Sequence, residues 1–252
     1  MSGRFSGHDP QHGADTAGVP WAGRTLTGTG FDGDTGAADA HLAALLSDPG
    51  TPAVELVAAV AAARLIVPVV AVPGEVDTSS GLAADVSSDM ASVTLVAPDG
   101  QRALPAFTST GALTRWDPQA RPVPVTARRA ALAAVEEGCE VIPVDLGADR
   151  GAAAYTLRPS MVWALATGRV WLPAHQDAEL AATVATLLRD EGQVTGHRLG
   201  GSDGALELAL QLAPGLSQAQ VQALVARIGQ ALSADTDARS RMDSLAFRLL
   251  AG

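Results

Sequence analysis

No apolar stretch in this 252-residue chain runs far before meeting a breaker, because 26 glycines and 15 prolines are distributed along it. Proline removes a backbone donor and clashes with the preceding helical turn, and glycine adds chain entropy, so both cut elements short. Long coiled coils are excluded, and the elements must be brief and mixed. The segment that comes nearest to a membrane span is 56–73, but Arg64 sits near its middle and Pro68 follows shortly after. A helix over 52–64 feeding a buried strand over 65–72 accounts for it better than a span does.

Nine of the glycines fall in residues 1–36, where aliphatic side chains are few. Such a stretch buries too little apolar surface to offset its ordering entropy, so residues 1–37 are expected to form a flexible arm. Trp21, Arg24 and Phe31 are its candidate anchors, since bulky groups spaced through a polar tail can dock on a surface. The same residues can equally tack the arm to its own domain.

Helical spacing begins after the arm with Leu42, Leu45 and Leu46, and Pro49-Gly50 ends that helix. Thr51 is expected to cap a second helix that has Pro52 at its first position. Residues 73–89 read as loop. Runs at 91–97 and 102–107 flank Asp99-Gly100, a strong hairpin signal because both residues accept positive φ. An extended stretch at Val123 and Val125, a helix capped by Thr126 and closed by Gly138, a strand over 141–146, another over 155–157 and a helix from Pro159 to Gly168 follow. Beyond Pro173 the pattern restarts as helix 177–189, strands 194–199 and 206–212, a helix capped by Ser217 and Gln220, and a last strand with Leu245, Phe247 and Leu249 alternating. The fold class is α+β: a mixed-sheet N-terminal domain over 38–173 and a smaller αββαβ C-terminal domain over 177–252, without a regular βαβ repeat.

All 17 basic residues are arginine, so the chain has no P-loop lysine, Schiff-base lysine or Ser-x-x-Lys pair. A net charge of −10 opposes direct binding to nucleic acid or anionic lipid. One cysteine suits a reducing compartment, and no apolar leader follows Met1, so the cytoplasm is the expected location.

Each catalytic motif fails its context. Gly200-Gly201-Ser202-Asp203-Gly204 matches the G-x-S-x-G elbow, but alternating Leu206, Leu208, Leu210 and Leu212 follow it as a strand where an elbow needs a helix. It reads as a hairpin turn. Gly28 to Gly33 matches GxGxxG, yet Asp32 and Asp34 place negative charge where phosphates would sit. Asp32, Asp34 and Gly36 begin like a calcium loop, but Ala43 stands where its bidentate glutamate belongs. His8 and His12 lie among helix breakers, and Cys139 has Glu136, Glu137 and Glu140 beside it, which favours the protonated thiol. No cofactor or metal is expected.

Arg115, Arg121, Arg128 and Arg129 cluster in sequence around Trp116, the one arginine-rich patch with an aromatic in it. Bidentate guanidinium contacts suit an anionic ligand or acidic partner. With Phe107, Thr108 and Ser109 these residues form the candidate binding surface. Local acids or solvent can also satisfy those arginines.

The run DMASVTLVAPDGQRALPAFTSTGALTRW over 89–116, followed by RPVPVTARRAALAAVEEG, resembles the SseB-like (enhanced serine sensitivity) family as it appears in high-GC actinobacteria. Trp21-Ala22-Gly23-Arg24, Phe31 and Asp34-Thr35-Gly36 look like the leader of such homologues. The resemblance covers 38–172 for the family's N-terminal domain, and the remainder is similar to its C-terminal part. It implies an α+β protein named from a phenotype, with no catalytic residues to carry over. The reading is therefore a non-enzymatic interaction or regulatory module with a protein partner. The alternative is a small-metabolite binder or enzyme of amino-acid (serine) or sulfur metabolism, with Asp117, Arg121, Asp145 and Arg158 gathered in a pocket.

Overall fold

A computed structural model describes residues 30–73, 88–147, 153–202 and 204–250. The chain divides into two units, 1–35 and 36–252. In the first, the Asp34 amide donates to the Phe31 carbonyl in a turn; Trp21 and Arg24 lie outside the described residues. Among the described residues, no helix is long and apolar enough to cross a membrane.

The second unit opens with α1 (Ala40–Ser47), capped where the Asp39 carboxylate accepts the Leu42 amide at 2.9 Å. Helix α2 (Ala53–Ala62) starts one residue later than its Thr-Pro signal predicts. The cause is local: the Thr51 hydroxyl donates to the Leu45 carbonyl at the end of α1, leaving Pro52 at the cap position. Strand β1 (Arg64–Pro73) follows directly, so residues 56–73 are a short helix and a strand.

Strand β1 is flanked on both sides by antiparallel partners, β2 (Ser88–Ser92) and, further along the chain, β5 (Arg121–Thr126). Val69 stands opposite both Ser92 and Arg121, which places β2 and β5 on opposite edges. The Asp-Gly hairpin is present but small, with β3 (Leu95–Val96) against β4 (Arg102–Ala103) around Gly100 at φ 89°. Its flanks are drawn into other pairings. Residues 88–92 join β1, while Ile66 and Phe107 exchange two backbone hydrogen bonds of 2.8 Å. The amides of Leu104 and Ala106 donate to Val141 and Pro143, linking this run in parallel to β6 (Ile142–Leu146), which pairs with β7 (Ala153–Leu157).

The register explains the two prolines of β5. Ile66 turns its backbone groups toward Phe107, and Pro68 accepts from Val93 on the same side. Pro124 and Pro122 stand opposite these residues, so their nitrogens point to the outer edge, where proline has no hydrogen to offer.

Between the strands lie α3 (Thr110–Trp116) and α4 (Ala127–Glu136), and β7 leads into α5 (Pro159–Thr167). Helix α4 buries Ala127, Ala130, Ala131 and Ala134 on one stripe, and α5 packs on it through Met161, Val162, Ala164 and Leu165. Alanine on the α4 side keeps the layer between the backbones thin, so the two helices approach closely.

After a 3-10 turn at Ala174–Gln176 come α6 (Ala178–Arg189), β8 (Val194–Ser202), β9 (Ala205–Leu212), α7 (Gln218–Ala234), α8 (Thr236–Ser240) and β10 (Ser244–Leu250). Gly200, Gly201 and Ser202 are the last residues of β8, paired with Glu207, Leu206 and Ala205 of β9, so a strand follows the glycine-rich string where an elbow needs a helix. The Ser217–Gln220 capping box forms. Helix α8 carries no apolar period and is missed by sequence; the Asp235 carboxylate nucleates it by accepting the Ala238 amide. Strand β9 is central, antiparallel to β8 and parallel to β10, with Leu206, Leu208 and Leu210 packed under Leu180, Val184, Leu224 and Ile228.

Candidate functional site

The Phe107-Thr108-Ser109 segment is held by three different interactions. Phe107 is buried and meets Trp116 at 5.3 Å between ring centroids, inside a cluster with Ile66, Leu113 and Leu146. Thr108 donates its amide and its hydroxyl to the Asp145 carboxylate, at 2.8 and 2.7 Å. Ser109 caps α3 by accepting the Ala112 amide at 3.0 Å. Asp145 adopts φ 52°, the one non-glycine at positive φ among the described residues. That backbone conformation is costly for a side-chain-bearing residue, and the two bonds to Thr108 help hold it. Phe107, Thr108 and Trp116, read from sequence as part of a surface, are therefore interior residues: an alternating run next to a helix cap does not reveal that it bridges two strands.

The arginines read with them face outward. Arg115 lies in the last turn of α3 and Arg121 begins β5, both exposed. Arg128 and Arg129 occupy the first turn of α4, where the positive end of the helix dipole disfavours a cation. They diverge from there. Arg129 lines a hollow of about 460 Å³ with Val69, Val123 and Leu132, and Glu136 shares its rim, so both charge signs are present.

Arg128 stands over a different concavity, a groove of about 400 Å³. Helix α2 supplies one wall through Val54, Val57, Ala58 and Ala61; Leu165 and the segment 168–171 supply the other. Gly168 ends α5 in the left-handed conformation at φ 72°, which turns the chain sharply enough to bring Val170 and Trp171 back alongside α2. Val170 is 75% exposed at the mouth. Trp171 is buried and fixed: its indole N–H donates to the Ser160 hydroxyl at 3.0 Å, and the Arg158 guanidinium lies 5.8 Å from its ring centroid. The Arg128 Nε donates to the Ala166 carbonyl at 3.3 Å and makes no ion pair among the described residues. Arg169, also at the groove, is engaged by the Ser240 carbonyl and Asp177; burial and the nearby Arg241 charge push its guanidinium pKa down. Sequence reading found Arg128 but missed Val170 and Trp171; the signal was an apolar pair placed directly after a helix-ending Gly168-Arg169.

Asp145 and Arg158, two of the four residues considered for a pocket, are used structurally. Asp145 holds Thr108, and Arg158 binds Asp243 at 3.0 Å, whose carboxylate also accepts the Ser160 amide. Gly204 is required beside that carboxylate, because a methyl group there would collide with it. Asp177 caps α6 and receives both Arg241 bonds, at 2.9 and 3.0 Å. Burial raises the Cys139 thiol pKa, so the thiolate is disfavoured. Among the described residues, no group of three His, Cys, Asp or Glu side chains comes together to hold a metal.

No curated protein and no solved structure matches the chain. Residues 39–164 match the family model described as the SseB protein N-terminal domain, which takes in α1 through most of α5, including Arg128 and the α2 wall of the groove. The chain belongs to the SseB family.

Proposed function

We propose that this SseB-family protein is a cytoplasmic, non-enzymatic interaction or regulatory module, and that a protein partner engages it at the groove between α2 and the end of α5. The observation that carries this reading is the pairing of an apolar, pre-shaped trough with a guanidinium at its rim that makes no ion pair among the described residues. Val57, Leu165 and Trp171 form a buried floor, Val170 offers an exposed apolar contact, and Arg128 stands beside them without a counter-charge among the described residues. Buried aromatic floors with an arginine at the rim suit a partner segment that carries apolar side chains and a carboxylate. The net charge of −10 favours that partner over nucleic acid.

The residues most suited to covalent chemistry are otherwise occupied. Ser202 sits in a hairpin, Cys139 is buried with a raised thiol pKa, and Thr108 and Asp145 bind each other. The reading extends to the sequence-based organisation, with 38–173 as the domain bearing the groove and 177–252 as a second. A metabolite-binding role is the second reading, because a cavity of about 400 Å³ falls within the size of small-ligand pockets.

The test compares affinity capture by wild-type protein, Arg128→Glu and Val170→Asp, followed by titration of the recovered partner. Both side chains are solvent-facing, so melting temperatures should stay within the spread of surface substitutions, while partner affinity falls at least tenfold. A partner recovered and bound equally by all three proteins removes the groove from the proposal. Thermal-shift measurements with amino acids and thiols address the second reading, since a bound ligand raises the melting temperature by mass action.

A further inference from the structure

Three strand edges of this protein differ in how they meet solvent. The outer edge of β5 has Pro122 and Pro124 at the positions whose N–H groups would point outward. The outer edge of β8 is interrupted by a register shift between Val194 and Gly196, and Gly200 and Gly201 loosen its far end. Proline, bulges and glycine are the devices by which natural sheets prevent strand addition. Strand β10 has none of them. Its sequence, SLAFRLL, contains no proline or glycine, and it keeps unbroken register with β9 over seven residues.

The side chains of β10 extend an apolar face past the last strand. Leu245, Phe247 and Leu249 stand beside Leu206, Leu208 and Leu210, which are buried under α6 and α7. Leu245 and Phe247 are half-buried, Gly229 of α7 lies against the Phe247 ring, and Leu249 is left 52% exposed. The opposite face of β10 carries Ala246 and Arg248, with Arg248 reaching Glu207 at 3.5 Å.

We propose that β10 pairs antiparallel with β10 of a second copy of this chain about a two-fold axis through Phe247. Directly opposed residues in an antiparallel pair share a face, so the axis must pass through a residue. An axis through Arg248 sets two guanidiniums against each other. An axis through Ala246 sets Leu249 against Asp243, whose carboxylate is committed to Arg158 and Ser160. An axis through Phe247 pairs all seven residues: Phe247 meets Phe247 of the second copy, Leu245 meets Leu249, and Arg248 meets Ala246. The apolar row then runs unbroken from one leucine core to the other, and an isologous contact of this kind matches the symmetry that most homodimers adopt.

The experiment measures the mass of the full chain by light scattering over a concentration series, for wild type and Leu249→Lys. It is paired with oxidation of an Ala246→Cys, Arg248→Cys double variant. A mass of two chains is expected, with a dissociation constant raised at least tenfold by Leu249→Lys, while circular dichroism of the diluted single chain shows the same fold for both proteins, since that side chain is 52% exposed in the single chain. The double variant should form covalent dimers, and the wild type, whose lone Cys139 is buried, should not. A single-chain mass up to the solubility limit overturns the proposal, as does a dimer that Leu249→Lys leaves intact. A dimer weakened by Leu249→Lys but never cross-linked overturns the register centred on Phe247.

Discussion

The two larger cores of this protein are filled with different side chains. Around α4 and α5 the interior is largely alanine, with Ala127, Ala130, Ala131, Ala134, Ala164 and Ala166 buried. Around β9 it is largely leucine, with Leu180, Leu188, Leu206, Leu208, Leu210, Leu224 and Leu232 buried. The first is held by close approach of helix backbones, the second by interdigitation of branched side chains between helices and a sheet. The contrast predicts opposite weaknesses: the alanine core should resist added atoms, and the leucine core should suffer from lost methyls.

That contrast is open to direct attack. Leu208 is fully buried, so Leu208→Ala should lose the transferred methyls and leave a cavity, at about 2–5 kcal/mol. Chemical denaturation checks this, and a loss below about 1 kcal/mol would show a core that collapses freely and is not tightly interdigitated. Ala131→Leu, at a fully buried site on α4, should destabilise by about 1–3 kcal/mol through overpacking. Stabilisation by the same change would reveal a void between α4 and α5 and end the close-approach account. The smallest effect lies on the surface of the leucine-cored region. Arg227 donates to the Glu191 carboxylate at 2.8 and 2.6 Å and holds its pKa below the ordinary carboxylate value. A depressed pKa in the folded state contributes stability above the unfolded carboxylate range, and that contribution is lost as pH falls through the folded pKa. The stability difference between wild type and Glu191→Gln should be present at neutral pH and vanish in acid. A difference independent of pH would assign the pair no electrostatic role.

Much of the element order was legible because its signals are local. Thr126 and Gly138 bracket α4, Ser217 and Gln220 open α7, and Leu245, Phe247 and Leu249 alternate along β10. The tertiary use of those elements was less so. Nothing in Ala91 to Phe107 shows that one strand of the hairpin joins β1 while the other bridges to β6, because that choice depends on partners 35 or more residues away in the case of Val141 and Pro143. The same blindness hid the burial of Phe107, Thr108 and Trp116. Of the candidate site, Arg128 was visible as one of a run of arginines, whereas the groove beside it exists only because Gly168 folds Val170 and Trp171 back onto α2.

The unequal borders of the β8–β9–β10 sheet have a consequence for assembly. A sheet with two regular open edges can add a copy at each and extend without closure; this one has a bulged, glycine-loosened border at β8 and a regular border at β10. Association through β10 would use up the regular border of this sheet in a single step, so growth along the β8–β9–β10 sheet would finish at two chains.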